Sequence, residues 1–135
     1  MVTRTSQDWH GCPIRYGAVI FGDVWSLLIL RDIVFKGARH YADFLNADEG
    51  ISTNILAARL ARLEAEGVLS KAQDGQNKTR FVYSLTEKGK SLVPTLLEIM
   101  DWSETWDQQT EVPEEFINEL RQDKAVLAAK IVSGL

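Results

Sequence analysis

The sequence predicts a mainly α-helical fold with one small β-hairpin, an α+β arrangement that three features between Gly50 and Thr86 support. Leu56, Leu60 and Leu63 recur at spacings of four and three, the period that puts apolar side chains on one face of a helix. Two short strand-like runs follow at once, residues 68–71 and 81–85, the second carrying Val82 between Phe81 and Tyr83. The polar, Gly-containing stretch 73–80 between them has the chemistry of a hairpin tip. Helix followed by hairpin is the outline of a winged helix-turn-helix, here with extra helices at both ends.

Taken from the N-terminus, residues 14–21 and 24–34 read as two helices parted by Gly22-Asp23. The second is apolar on nearly every side, with Trp25, Leu27, Leu28, Ile29, Leu30, Ile33 and Val34, so it should be buried. Residues 36–39 form a turn, and 41–45 a short helix directing Tyr41, Phe44 and Leu45 to the core. Residues 46–50 are then the turn of the helix-turn-helix, with the acids Asp48 and Glu49 close to the next helix start, where they favour its dipole but not an approaching phosphate. That next helix spans 53–66, opened by Ser52 as a side-chain cap and ended at Gly67.

Stepping roughly 100° per residue from Leu56 puts Asn54, Ala57, Ala58 and Ala61 on the opposite face, with Thr53 and Arg62 at its margins. Such a small, uncharged face suits a helix that enters a major groove. It also suits any alanine-rich helix of high propensity. The hairpin that follows favours the groove, because Lys71, Lys78 and Arg80 give it positive charge where phosphate would lie.

Net charge is -4 and the isoelectric point about 5.2, which argues against a polyanion as partner of the whole chain. The acid is unevenly placed. Residues 52–80 hold five Lys and Arg against three Asp and Glu, whereas residues 81–135 hold five against ten. The C-terminal third is therefore expected to face away from DNA.

Cys12-Pro13, Gly22-Asp23-Val24-Trp25, Leu28-Ile29-Leu30-Arg31-Asp32, Phe44-Leu45, Ile51-Ser52 with Asn54 and Leu56, Arg59-Leu60 with Leu63, Gly67, and Tyr83-Ser84-Leu85-Thr86 with Gly89 resemble the HxlR family of bacterial winged-helix transcription regulators. The resemblance runs from about Cys12 to Trp106. It implies a homodimeric, sequence-specific DNA-binding regulator on an inverted-repeat operator, with the dimer built from N- and C-terminal helices and a small reactive molecule or oxidant as signal. The candidate DNA-binding residues are then Ser52, Thr53, Asn54, Ala57, Arg59 and Arg62 on the helix, and Lys78 and Arg80 on the wing. Two departures from the family pattern stand out: Val24 replaces a common lysine, and Lys78-Thr79 stand where proline commonly precedes the wing arginine, which predicts a more mobile tip. The other reading is a winged helix used for protein contact, without sequence-specific DNA binding.

The chain divides by this reading into an arm at 1–11, a winged-helix region at 12–86 and C-terminal helices at 87–135. In the last part, one amphipathic helix from Thr86 to Trp106 would contain Pro94 in an early turn or at a bend, and a second would start with Pro113 at its first position and carry Phe116, Ile117, Leu120, Leu127 and Ile131 on one side. Those stripes suit either intramolecular packing or a two-fold interface, the latter setting two recognition helices about 34 Å apart.

Cys12, the single cysteine, excludes an internal disulfide and is either a small buried hydrophobe or a redox sensor, its thiolate favoured by Arg15 or by the helix start after Pro13. The matching position is a sensor in some relatives. With His10 it makes only two candidate ligands, so no metal is expected, and no cofactor either. His40 fits a turn or a phosphate contact. Trp25, Trp102 and Trp106 with Tyr41 and Phe44 form either core or a pocket for a flat apolar effector. No phosphate-cradling glycine loop, Ser/His/Asp set or apolar carboxylate pair points to an enzyme. Residues 1–9 are polar and the longest apolar run, near 25–30, is too short for a bilayer, so a soluble cytoplasmic protein without membrane contact is expected.

Overall fold

The computed structural model describes residues 11–135, so the arm at 1–11, with its polar residues 1–9 and His10, lies almost wholly outside the described residues. The chain forms two compact units, Met1–Glu87 and Lys88–Leu135. The fold is mostly helical with one antiparallel hairpin, a winged helix-turn-helix as the sequence predicts.

In the first unit α1 (Pro13–Phe21) and α2 (Val24–Lys36) precede α3 (Tyr41–Leu45) and α4 (Thr53–Ala65), and β1 (Leu69–Gln73) and β2 (Phe81–Leu85) complete it. Asp23 caps α2 by accepting from the Ser26 N–H at 3.2 Å. The central helix α2 buries Ile29, Leu30 and Ile33 against the Leu56, Leu60 and Leu63 stripe of α4, all nearly inaccessible. Phe44 reaches this core from α3 and meets Tyr83 edge to face, with centroids 6.1 Å apart.

α4 ends in a Schellman cap. Gly67 is left-handed at φ 77, the Val68 N–H donates to the Leu63 carbonyl and the Gly67 N–H to that of Glu64. The cap consumes Val68, so β1 starts one residue later than the expected 68–71. It runs on to Gln73 because the Asp74 N–H and Arg80 carbonyl close the hairpin at 3.0 Å. The register pairs Leu69 with Leu85 and Gln73 with Phe81. From the middle of β2, the Tyr83 N–H donates to the Arg39 carbonyl at 2.7 Å, tying the hairpin to the segment before α3.

The C-terminal helices differ from the sequence expectation at two points. The expected continuous helix from Thr86 is split into a single turn, α5 (Glu87–Lys90), and α6 (Val93–Trp106). Pro94 has no N–H to donate, so it belongs in a first turn and the helix restarts around it. The expected second helix is likewise two, α7 (Glu114–Gln122) and α8 (Lys124–Ser133), with Pro113 as cap rather than first residue. Asp123 makes the break, extended at φ -160 and ψ 100, and its carboxylate accepts from the Val126 N–H at 3.1 Å to cap α8. In this unit Leu97, Ile117, Leu120, Leu127 and Ala128 are buried, and Lys124 joins α8 to α6 through Glu98 and Asp101 at 2.9 and 2.8 Å. No helix among the described residues is long and apolar enough to cross a membrane.

Candidate nucleic-acid interface

The solvent face of α4 carries Thr53, Asn54, Ala57, Ala58 and Ala61, all exposed. Ser52 holds the start of the helix, its hydroxyl accepting from the Ile55 N–H at 3.2 Å. Tyr41 braces the same turn from α3 by donating to the Thr53 carbonyl at 3.2 Å. The side chains of Thr53 and Asn54 thus stand at the end of a helix whose first N–H groups point outward, with little bulk behind them.

Arg59 behaves differently from its neighbours in the candidate set. A step of about 100° per residue puts it some 60° from Leu56, on the flank of the buried face. There its Nε donates to the Asp23 carboxylate at 2.8 Å, joining α4 to the start of α2. The two hydrogen bonds from Ser26 and Arg59 outweigh burial and hold the Asp23 carboxyl below its usual range. Arg62, in the last turn, is half-buried and has no ion-pair partner among the described residues.

Of the two acids of the turn, Glu49 is neutralised. Arg31 forks onto Glu49 with Nη1 and Nη2 at 2.7 and 2.8 Å, and also donates to buried Asp32. The guanidinium holds the Glu49 carboxyl down at about 2, against an ordinary value of 4.5. A folded-state value below the unfolded one means stability that is present above about pH 4.5 and lost as the pH falls toward about 2. Glu49→Gln should therefore flatten the acid-side decline of the urea midpoint, and an unchanged decline would remove this pair as its source.

On the wing, Lys78 is exposed and Arg80 half-exposed, while the Lys71 ammonium lies 4.3 Å over the Phe81 ring. The tip lacks proline but is stitched by hydrogen bonds: Asn77 accepts from the Thr79 N–H and hydroxyl, and Gln73 donates to the Lys78 carbonyl. Sequence reasoning missed Asp74, which it left among polar tip residues. Asp74 is 8% exposed and accepts from Arg80 at 2.6 Å, from His40 at 3.1 Å and from the Gln76 N–H at 2.9 Å. A hairpin register worked out from the strands would have found the pair, since 74 and 80 follow the partners Gln73 and Phe81.

Cys12 is the residue before α1, partly exposed, and its thiol is lowered below the ordinary range chiefly by hydrogen bonds from the Arg15 backbone and side chain. Trp25 and Phe44 line a pocket of about 10 Å³ with Ile51 and Glu49, room for about one water and not for a flat effector. Trp102 and Trp106 belong to the second unit and are largely exposed. No group of three candidate metal ligands occurs among the described residues.

A three-helix core, a capped helix with a small exposed face and a cationic hairpin define a winged-helix DNA-binding regulator. The model of the HxlR-like helix-turn-helix family matches residues 20–111, and the chain belongs to that family. It is 34% identical over 103 residues to the HTH-type transcriptional regulator sll1512 of Synechocystis sp., covering 76% of each chain. Over 105 residues it is 30% identical to the HTH-type regulator YdeP of Bacillus subtilis, covering 78% of this chain and 81% of that one. Among solved structures, PA1607 superposes with a TM-score of 0.71 at 34% identity, over 80% of this chain and 76% of that one. The oxidised redox regulator HypR does so with a TM-score of 0.61 at 25% identity, over 75% of this chain and all 100% of that one.

Proposed function

We propose that this regulator binds an inverted-repeat operator as a homodimer, with α4 in the major groove and the wing along the adjacent backbone. Thr53, Asn54 and Ala57 then meet base edges, while Arg62, Lys78 and Arg80 meet phosphate or the minor groove. The observation that carries the reading is the exposed, uncharged start of α4 in a helix followed through a three-residue link by the cationic wing. Arg59, committed to Asp23, sets the angle of α4. Exposed apolar side chains support the dimer: Ile99, Trp102 and Trp106, 42%, 67% and 72% exposed, lie on one face of α6, and Ile14 of α1 is 78% exposed.

The test is duplex affinity as a function of salt. Lys78→Ala should lower the slope of log affinity against log salt by roughly one, uniformly across sequences. Asn54→Ala should instead cost about 1–3 kcal/mol on the preferred duplex and little on others. Equal losses from Asn54→Ala on every sequence would rule out base reading and favour a winged helix that contacts protein.

The signal we propose is an oxidant or electrophile that the Cys12 thiolate attacks, its sulfur lone pair forming the new bond. Its lowered pKa and partial exposure are the properties such chemistry needs, and HypR is a redox regulator of similar structure. Cys12→Ser should keep DNA affinity and lose diamide-dependent release. Release that survives the substitution places the sensor elsewhere.

A further inference from the structure

Asp74 sits at a hairpin tip, where carboxylates ordinarily face water, yet only 8% of it is accessible. Each of its oxygens is used. Oδ2 accepts from Arg80 Nε at 2.6 Å and from His40 Nε2 at 3.1 Å, and Oδ1 accepts from the Gln76 N–H at 2.9 Å. His40 is itself held at the start of α3, where its carbonyl accepts from the Asp43 N–H at 2.9 Å and the Asp43 carboxylate accepts from the His40 N–H at 2.9 Å. One residue further, Tyr41 donates to the Thr53 carbonyl at the first turn of α4.

We infer that Asp74 is a positioning residue for DNA binding: it aims the wing arginine, Arg80, and through His40 and α3 sets that arginine relative to the start of α4. The inference rests on the proposed contact between Arg80 and DNA. Its geometry distinguishes aiming from sequestration. Asp74 holds Nε, the inner nitrogen, and the terminal Nη atoms make no hydrogen bond among the described residues. The Arg80 side chain is 49% exposed and that of Asp74 only 10%, so the pair turns its cationic edge outward and keeps its anion from a phosphate. Two carboxylates and one arginine face His40: Asp74 at Nε2, Asp43 at 3.5 Å from Nδ1, and Arg80 through Asp74.

The test is a double-mutant cycle on a duplex that the wild-type protein enriches from a randomised pool, with thermal unfolding of each variant alongside. Asp74→Asn should weaken binding about tenfold when Arg80 is present and have almost no effect in an Arg80→Ala background. His40→Ala, which leaves the carboxylate in place, should give a smaller loss with the same dependence on Arg80, and it carries the test if Asp74→Asn unfolds. Equal losses in both backgrounds would mean a merely structural hairpin pair and overturn the positioning role. Tighter binding by Asp74→Asn would overturn it too, by showing that the carboxylate restrains Arg80. Should Arg80→Ala alone leave affinity unchanged, the wing contact itself fails, and the positioning role falls with it.

Discussion

Leu56→Ala is expected to cost about 2–5 kcal/mol of stability, read from the urea midpoint at constant m-value. Leu56 is wholly buried, with Leu60 and Leu63 beside it and the α2 core opposite. Removing its branched end leaves a cavity that a helix capped at both ends cannot easily close. α4 is fixed by Ser52 at its start and the Gly67 cap at its end, and Arg59 pins its flank to Asp23. The neighbours can shift little, so the loss should lie toward the upper part of that range. A loss below about 1 kcal/mol would mean that α4 slides to refill the space, and the recognition face would then move with it.

Trp102→Glu is expected to leave a folded protein that is a monomer and binds the operator duplex 10²–10⁴-fold more weakly, on the order expected when two linked half-site contacts become one. The tryptophan is 67% exposed, so its replacement removes little from the chain's own core. Placed between the two apolar faces of the proposed dimer, a carboxylate would be desolvated without a partner and push them apart. Sedimentation and DNA titration on the same sample check both halves of the expectation. A variant that stays dimeric would move the interface away from the Ile99, Trp102 and Trp106 face of α6.

How far the sequence could be read depended on the range of the forces involved. The α4 stripe and its Ser52 cap are local patterns, set within a turn or two, and they stand where periodicity puts them. Arg59 is subtler: its angle from Leu56 already marks it as a flanking residue, but the partner, Asp23, is 36 positions away and no local pattern points to it. Asp74 could not be told from an ordinary tip residue without the strand register, and its burial depends on His40, 34 positions earlier. In the C-terminal part the apolar stripes were legible and Pro94 was read as lying in an early turn or at a bend, yet the restart of the helix around it and the break at Asp123 were not legible. A stripe continues across a short interruption at nearly the same phase, whereas the interruption is decided by a missing N–H at one site and a capping carboxylate at the other.

The cap at Gly67 has one more consequence. Because Val68 completes the cap and Leu69 is already in the strand, no slack chain lies between α4 and the wing. An added or deleted residue here would rotate the hairpin pattern and carry Leu69 from the core to the surface. Changes of length are tolerable only at the far end of the hairpin, among residues 75–79. New operators must therefore be reached by exchanging side chains on a scaffold of fixed pitch, while the reach of the wing along the duplex can be adjusted one residue at a time.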